Sequence, residues 1–181
     1  TLPSVTVDLA HEEAGSGRPV ILLHAFPLSR AMFADQVAGL ADQARVIAPD
    51  LRGFGESPPG ADEPSLVLMA VDVAGLLDAL GIREPAHVMG HDWGAAVTWC
   101  LAITHPELVR SAVAISVGHP TEYARAGLEQ VIQPDDEHEP AHVQVVHDCR
   151  QDEIPVGHQP VEIELSHPAA GCLQSALLGQ R

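Results

Sequence analysis

The residues best suited to chemistry form one run, Gly90-His91-Asp92-Trp93-Gly94, preceded by Val88-Met89 and followed by Ala95-Ala96. This reads as a strand that ends in Gly-x-Asp-x-Gly and gives way at once to a helix. A turn that tight holds its middle residue in a strained backbone conformation. The flanking glycines remove the Cβ atoms that would collide there. The middle side chain is lifted above the carboxyl edge of the sheet, at the positive end of a helix, where an anion is stabilised. That residue is Asp92, not a serine. A carboxylate attacks an sp³ carbon, as in an epoxide or an alkyl halide, and leaves an alkyl-enzyme ester. Water must then hydrolyse the ester at the carbonyl of Asp92, which calls for a general base and an oxyanion hole. An ordinary strand-to-helix turn with a capping aspartate would carry the same residues.

Two further motifs stand in the order this chemistry needs. His24-Ala25-Phe26-Pro27 follows the apolar run Val20-Ile21-Leu22-Leu23. The backbone N–H of Phe26 is placed to supply one oxyanion donor, and that of Trp93 the other. Asp50-Leu51-Arg52-Gly53-Phe54-Gly55-Glu56-Ser57 follows a second apolar run. Its glycines permit positive φ, and Arg52 and Asp50 are expected to brace the loop; its role reads as structural.

The elements that must position these loops follow from hydrophobic periodicity. Residues 5–9 alternate, and Gly15-Ser16-Gly17 makes a turn, as in an opening hairpin. Continuous apolar runs predict buried strands at 20–23, 45–48, 86–89 and 109–117. Helical spacing predicts helices at 31–41, from Pro64 to a stop at Gly81, and at 93–103. Strands alternating with helices imply an α/β fold, a mainly parallel sheet with helices on both faces. Beyond Tyr123 the pattern fades. A short helix at 124–131, a loop through 133–140 and weak strands at 142–146 and 161–165 are expected. The division is a core over 1–130 and an atypical, loop-rich tail over 131–181.

Composition bounds the function. The chain has 181 residues, with 25 acidic residues against nine basic ones and a formal net charge of −16. A phosphate backbone or an anionic membrane surface would be repelled, which argues against nucleic acid and membrane as partners. No apolar run approaches the roughly 18 residues needed to span a bilayer. Three widely spaced cysteines argue against a disulfide framework, so a soluble, cytoplasmic protein is expected. The six aromatic residues all precede Ala124. The oligomeric state is not legible.

Together these stretches resemble the α/β-hydrolase superfamily, specifically its aspartate-nucleophile branch of epoxide hydrolases and haloalkane dehalogenases. His24-Ala25-Phe26-Pro27 matches the branch's His-Gly-x-Pro loop with Ala25 in place of glycine, and Gly90-His91-Asp92-Trp93-Gly94 matches its elbow. His105-Pro106-Glu107-Leu108-Val109-Arg110 is similar to the run before the family's sixth strand. The similarity covers about residues 3–129. It implies hydrolysis of a small hydrophobic substrate, most simply an epoxide, without a cofactor or catalytic metal. A carbon–halogen bond is the alternative, with Trp93 holding the halide and Trp99 packed in the core.

The family also implies a helical cap with two tyrosines, a catalytic acid and a histidine base. Only Tyr123 is present. In chain order Asp92, Asp148 and His167 fill the places of nucleophile, acid and base, with Glu122 as another acid. The stretch between the two tail runs holds Pro155, Gly157 and Pro160 and leaves no room for a crossover helix. His87, His105 and His119 read as loop or cap positions rather than bases. His138-Glu139-Pro140-Ala141-His142 spells the H-E-x-x-H of a zinc protease, but Pro140 and the acidic residues before it oppose the regular helix that site needs. A truncated, non-catalytic chain is the reading from another class, with the composition breaking near residue 130.

Overall fold

The structure, a computed structural model, describes residues 7–118 and the strand Val143–His147. Six strands lie in one sheet: β1 (His11–Ala14), β2 (Pro19–Leu23), β3 (Arg45–Pro49), β4 (Ala86–His91), β5 (Val109–Ile115) and β6 (Val143–His147). Their order is β1-β3-β2-β4-β5-β6. The four central strands are parallel, and the two edge strands are antiparallel to their neighbours. Among the described residues three α-helices accompany them: α1 (Ala34–Leu40), α2 (Leu66–Ala79) and α3 (Trp93–Thr104).

The continuous apolar runs are explained by burial on both faces. Every residue of β2 is buried. Ile21 and Leu23 pack in one core with Met69, Val73 and Leu77 of α2 and Val97 and Leu101 of α3. Val20 and Leu22 point the other way, into a second core with Phe33, Val37 and Leu40. Truncating any of these central leucines to alanine removes about 2–5 kcal/mol.

The helices form close to where spacing places them, with local differences at their ends. Residues 31–41 divide into a 3₁₀ turn, Arg30–Phe33, and α1. The second helix begins at Leu66 rather than Pro64, because Ser65 is the cap and its hydroxyl accepts the N–H of Leu68 at 3.2 Å. Gly81, at φ 67°, turns the chain out at the other end.

The opening hairpin is not what forms. Among the described residues the first strand is His11–Ala14, and it pairs with β3 from His11↔Pro49 to Ala14↔Val46. Strand β2 already has parallel neighbours on both sides, so the free edge of β3 takes the arriving chain. The Gly15-Ser16-Gly17 turn carries it on, and a Cβ at Gly15 would run into the backbone carbonyls of Ala41 and Ala44.

At the far edge, β6 lies where a weak strand is expected. It covers β5 in antiparallel register, from Val143↔Ile115 to His147↔Ser111. It therefore runs away from the end of the sheet where His91 of β4 pairs with Ile115. Glu122, Tyr123, Asp148, His167, His119 and the His138-Glu139-His142 motif lie outside the described residues, as do the predicted helix at 124–131 and strand at 161–165. No helix among the described residues is long and apolar enough to cross a membrane.

Candidate active site

Asp92 sits between β4 and α3 with φ 53° and ψ −115°. Positive φ is costly for a residue with a Cβ, and such strain gathers at functional positions. The two glycines around it are required by contact. A Cβ on Gly94 would lie 2.8 Å from the carbonyl oxygen of His24 and closer still to that of Leu23. One on Gly90 would lie 2.5 Å from the amide nitrogen of Ala95 and closer to the Gly94 carbonyl. The start of α3 thus presses against the end of β2, and buried Ala95 fits beneath it. The elbow is tied to its neighbour by the Asp92 N–H, which donates to the Ile115 carbonyl at 3.0 Å.

Although Asp92 occupies the cap position of α3, its side chain makes no capping hydrogen bond. Its Oδ2 instead accepts the backbone N–H of Phe26 at 3.1 Å. The capping explanation of the motif therefore fails. Trp93 contributes the first amide of α3, one of the N–H groups that have no partner inside a helix. The chain brings together the nucleophile candidate and the two oxyanion-donor candidates from loops that follow β2 and β4.

Aromatic rings surround this point. Phe26 and Trp93 stack obliquely with centroids 4.9 Å apart, and Phe54 meets both edge-on at 5.7 and 6.1 Å. Phe26 is 51% exposed and Trp93 40%, so neither serves simply to cover the core. Trp99 is the opposite case. It is buried, and its indole N–H donates to the Val117 carbonyl at 3.1 Å.

Sequence reasoning gives His24 no role, yet it holds the Phe26 loop. Fully buried, its Nε2 accepts the Leu51 N–H at 2.8 Å, while Nδ1 lies 3.0 Å from the Ala25 carbonyl. That pattern needs the neutral ring with its proton on Nδ1. Burial pushes the His24 pKa below the ordinary histidine value, against the Ala25 hydrogen bond and the charge of Asp50. The only advance signal was a histidine closing a fully apolar run.

Asp50 and Arg52 both brace the loop after β3, each through its own partners. Asp50 accepts the Arg30 N–H at 2.7 Å, the Arg30 guanidinium and the Glu56 N–H at 2.9 Å. Arg52 turns the other way and binds Asp72 of α2 through Nε and Nη2 at 2.7 and 2.8 Å, with both side chains inaccessible. Of the other histidines, His87 lies in β4 against the Ser111 hydroxyl, rather than in a loop. His105 ends α3 beside Thr104. His91 bonds Ser116 at 3.1 Å, and among the described residues no histidine is hydrogen-bonded to Asp92. No group of three or more His, Cys, Asp or Glu among the described residues is placed to hold a metal.

A family model described as the alpha/beta hydrolase fold matches residues 18–167. The chain belongs to the α/β-hydrolase family. The AB hydrolase superfamily protein YfhM of Bacillus subtilis is 38% identical over 119 residues, which are 64% of this chain and 41% of that protein. Bifunctional epoxide hydrolase 2 of Sus scrofa is 38% identical over 113 residues, or 61% of this chain and 20% of that one. Among solved structures, a thermophilic esterase from Thermogutta terrifontis superposes with a TM-score of 0.56 at 39% identity, covering 57% of this chain and 38% of the esterase. This α/β-hydrolase chain therefore spans less than half the length of these relatives. Because the fold is shared with both an epoxide hydrolase and an esterase, the chemistry must be argued from the elbow residue, not from the fold.

Proposed function

We propose that this chain carries the nucleophile half of an epoxide hydrolase, with Asp92 as the attacking carboxylate. The observation that carries the reading is a carboxylate at the strained elbow residue, with Oδ2 3.1 Å from the N–H of Phe26. Likeness to proteins named epoxide hydrolases supports it.

In the first step a carboxylate oxygen of Asp92 forms a bond to a ring carbon as the ring C–O bond breaks. The ring oxygen leaves with the electron pair and takes a proton from water. The product is a β-hydroxyalkyl ester of Asp92. In the second step a base removes a proton from water, which adds to the ester carbonyl at Cγ. The resulting oxyanion lies where Phe26 and Trp93 N–H groups donate. Collapse breaks the bond from Cγ to the alkyl oxygen, which takes the proton held by the base and leaves as the diol; the carboxylic acid then gives its proton to solvent and the carboxylate is restored. Losing one such donor costs about a hundred- to a thousand-fold in rate. His167, within the family match, is the proposed base. β6 ends with His147 opposite Ser111, at the far end of β5 from the elbow, which argues against Asp148 as the acid and leaves Glu122 as the proposed one.

Two other readings rest on particular observations. The exposed indole next to the nucleophile favours a carbon–halogen substrate. His91, next to the nucleophile in sequence, is hydrogen-bonded to Ser116 rather than to Asp92, which favours a non-catalytic chain. Incubation with styrene oxide in isotopically labelled water separates them. Label entering the Asp92 carboxylate over repeated turnovers, with diol as product, is the expected result. Halide release from an alkyl halide with no diol formation selects the second reading, and no label with either substrate selects the third.

A further inference from the structure

Met32 reaches back from its 3₁₀ turn to the loop that carries Phe26. Its Sδ accepts the backbone N–H of Ala25 at 3.3 Å. The next peptide group is held at its carbonyl end: the Ala25 oxygen accepts the Leu28 N–H at 2.8 Å and lies 3.0 Å from Nδ1 of His24. That same peptide group presents the Phe26 N–H to Oδ2 of Asp92. Two successive peptide planes are thus fixed, one by the sulfur and one by His24 and Leu28, and planarity passes the set of the carbonyl to the N–H. The turn that bears Met32 is itself anchored, because Asp50 accepts the Arg30 N–H at 2.7 Å and the Arg30 guanidinium. The chain has three methionines, and they differ in exposure. Met69 and Met89 are each 1% exposed, whereas Met32 is partly exposed and packs on the edge of the core that holds Phe33 and Val37. A thioether sulfur has two lone pairs, so one can hold Ala25 while the other meets an oxidant.

We propose that Met32 is a positioning residue for the Phe26 N–H, and a modification site at which a hydroperoxide switches that donor off. A lone pair of Sδ attacks the terminal oxygen of the hydroperoxide, the O–O bond breaks, and the sulfur becomes a sulfoxide. The sulfur gives up two electrons. The departing oxygen takes the proton from the transferred one and leaves as water or an alcohol. The 3.3 Å between sulfur and nitrogen leaves no place for an oxygen between them. A sulfoxide is also polar where the thioether was apolar, and its burial against the core is unfavourable. The Ala25 loop therefore gives way, and the Phe26 N–H moves off Asp92. That this would stop turnover rests on the proposed function; the hydrogen bond and its oxidation do not.

The test needs no turnover. Hydrogen peroxide on the full chain, followed by peptide mass mapping, should add one oxygen to Met32 at least tenfold faster than to Met69 or Met89. Amide hydrogen exchange then reads the loop. Oxidation of Met32 should speed exchange at Ala25 and Phe26 at least tenfold, with the Leu51 amide, held by His24, unchanged as the check that the fold persists. Met32→Leu conserves volume but has no acceptor, and should show the fast exchange without peroxide. Met32→Gln has an amide oxygen that can accept the Ala25 N–H and has no sulfur. It should restore the slow exchange and abolish the response to peroxide. Slow exchange at Ala25 in Met32→Leu, or oxidation of Met69 and Met89 in step with Met32, overturns the proposal. The labelled-water experiment reports on the nucleophile separately: label in Asp92 with Ala25 exchange unmoved by oxidation keeps the ester and discards the switch. Fast exchange on oxidation without label does the reverse.

Discussion

The backbone N–H of Phe26 donates to Oδ2 of Asp92 at 3.1 Å, across 66 positions of sequence. In the proposed mechanism, a donor already aimed at the carboxylate is a donor aimed at the oxygen that becomes negative when the ester is attacked. The strain at Asp92 then has a use, since φ 53° is what lifts the side chain to that donor.

The strain gives an unusual order of stabilities. Asp92→Gly and Asp92→Ala both remove the carboxylate and the Phe26 hydrogen bond. Alanine is ordinarily the more favourable residue, but at this φ it keeps the clash that glycine relieves. Asp92→Gly should be the more stable of the two by about 1 kcal/mol, with both inactive. Urea denaturation of the pair decides it; alanine equal to or above glycine would mean the elbow is not strained.

Glycine substitutions should separate by contact. Gly94→Ala drives a Cβ into the carbonyls of Leu23 and His24, backbone atoms that cannot swing aside. A loss of at least about 3 kcal/mol is expected, at the upper end for overpacking. Gly39 lies inside α1 with nothing within 4 Å of a built Cβ, so Gly39→Ala should stabilise by about 0.5–1 kcal/mol. Thermal unfolding of both variants tests the pair.

His24 predicts a pH dependence with a definite sign. Its pKa is lowered in the fold from the ordinary value of 6.5, so the unfolded chain binds the extra proton more readily. The stabilisation is complete above about pH 6.5 and declines as pH falls below it. Denaturation midpoints measured between pH 5 and 8 should fall on the acid side. His24→Gln should flatten that decline relative to the parent, and an unchanged slope would remove His24 as its source.

The Arg52–Asp72 pair predicts strong coupling. Asp72→Ala leaves a buried guanidinium without its carboxylate and also removes the acceptor of the Val7 N–H, held at 3.0 Å. The loss should be about 3–5 kcal/mol. Replacing both partners, Arg52→Met with Asp72→Leu, should cost less than Asp72→Ala alone. A double-mutant cycle that proves additive would show that the pair does not act as a unit.

Much of the fold was legible because its causes are local. Four apolar runs gave four central strands, since a strand covered on both faces needs apolar residues at every position. The glycine spacing around Asp92 marked the elbow, since only missing Cβ atoms let a strand and a helix meet so closely. The element ends shifted by a residue or two, as at Ser65, where a cap hydrogen bond chose the boundary over a proline. The candidate acid and base lie outside the described residues.

The sequence by itself determined the four central strands and the three helices between them, that a carboxylate stands at the elbow, and that the chain carries a net charge of −16. Those properties follow from neighbouring residues, side-chain period and summed charge. Only the tertiary structure decided the partners: β1 with β3 rather than β2, Arg52 with Asp72, His24 with Leu51, and Phe26 with Asp92. Partners 20 to 66 residues apart meet according to strand order and register, and no local pattern encodes those. The charge and shape of Asp92 were written in one residue; the oxygen's hydrogen-bond partner was set by the neighbouring strand.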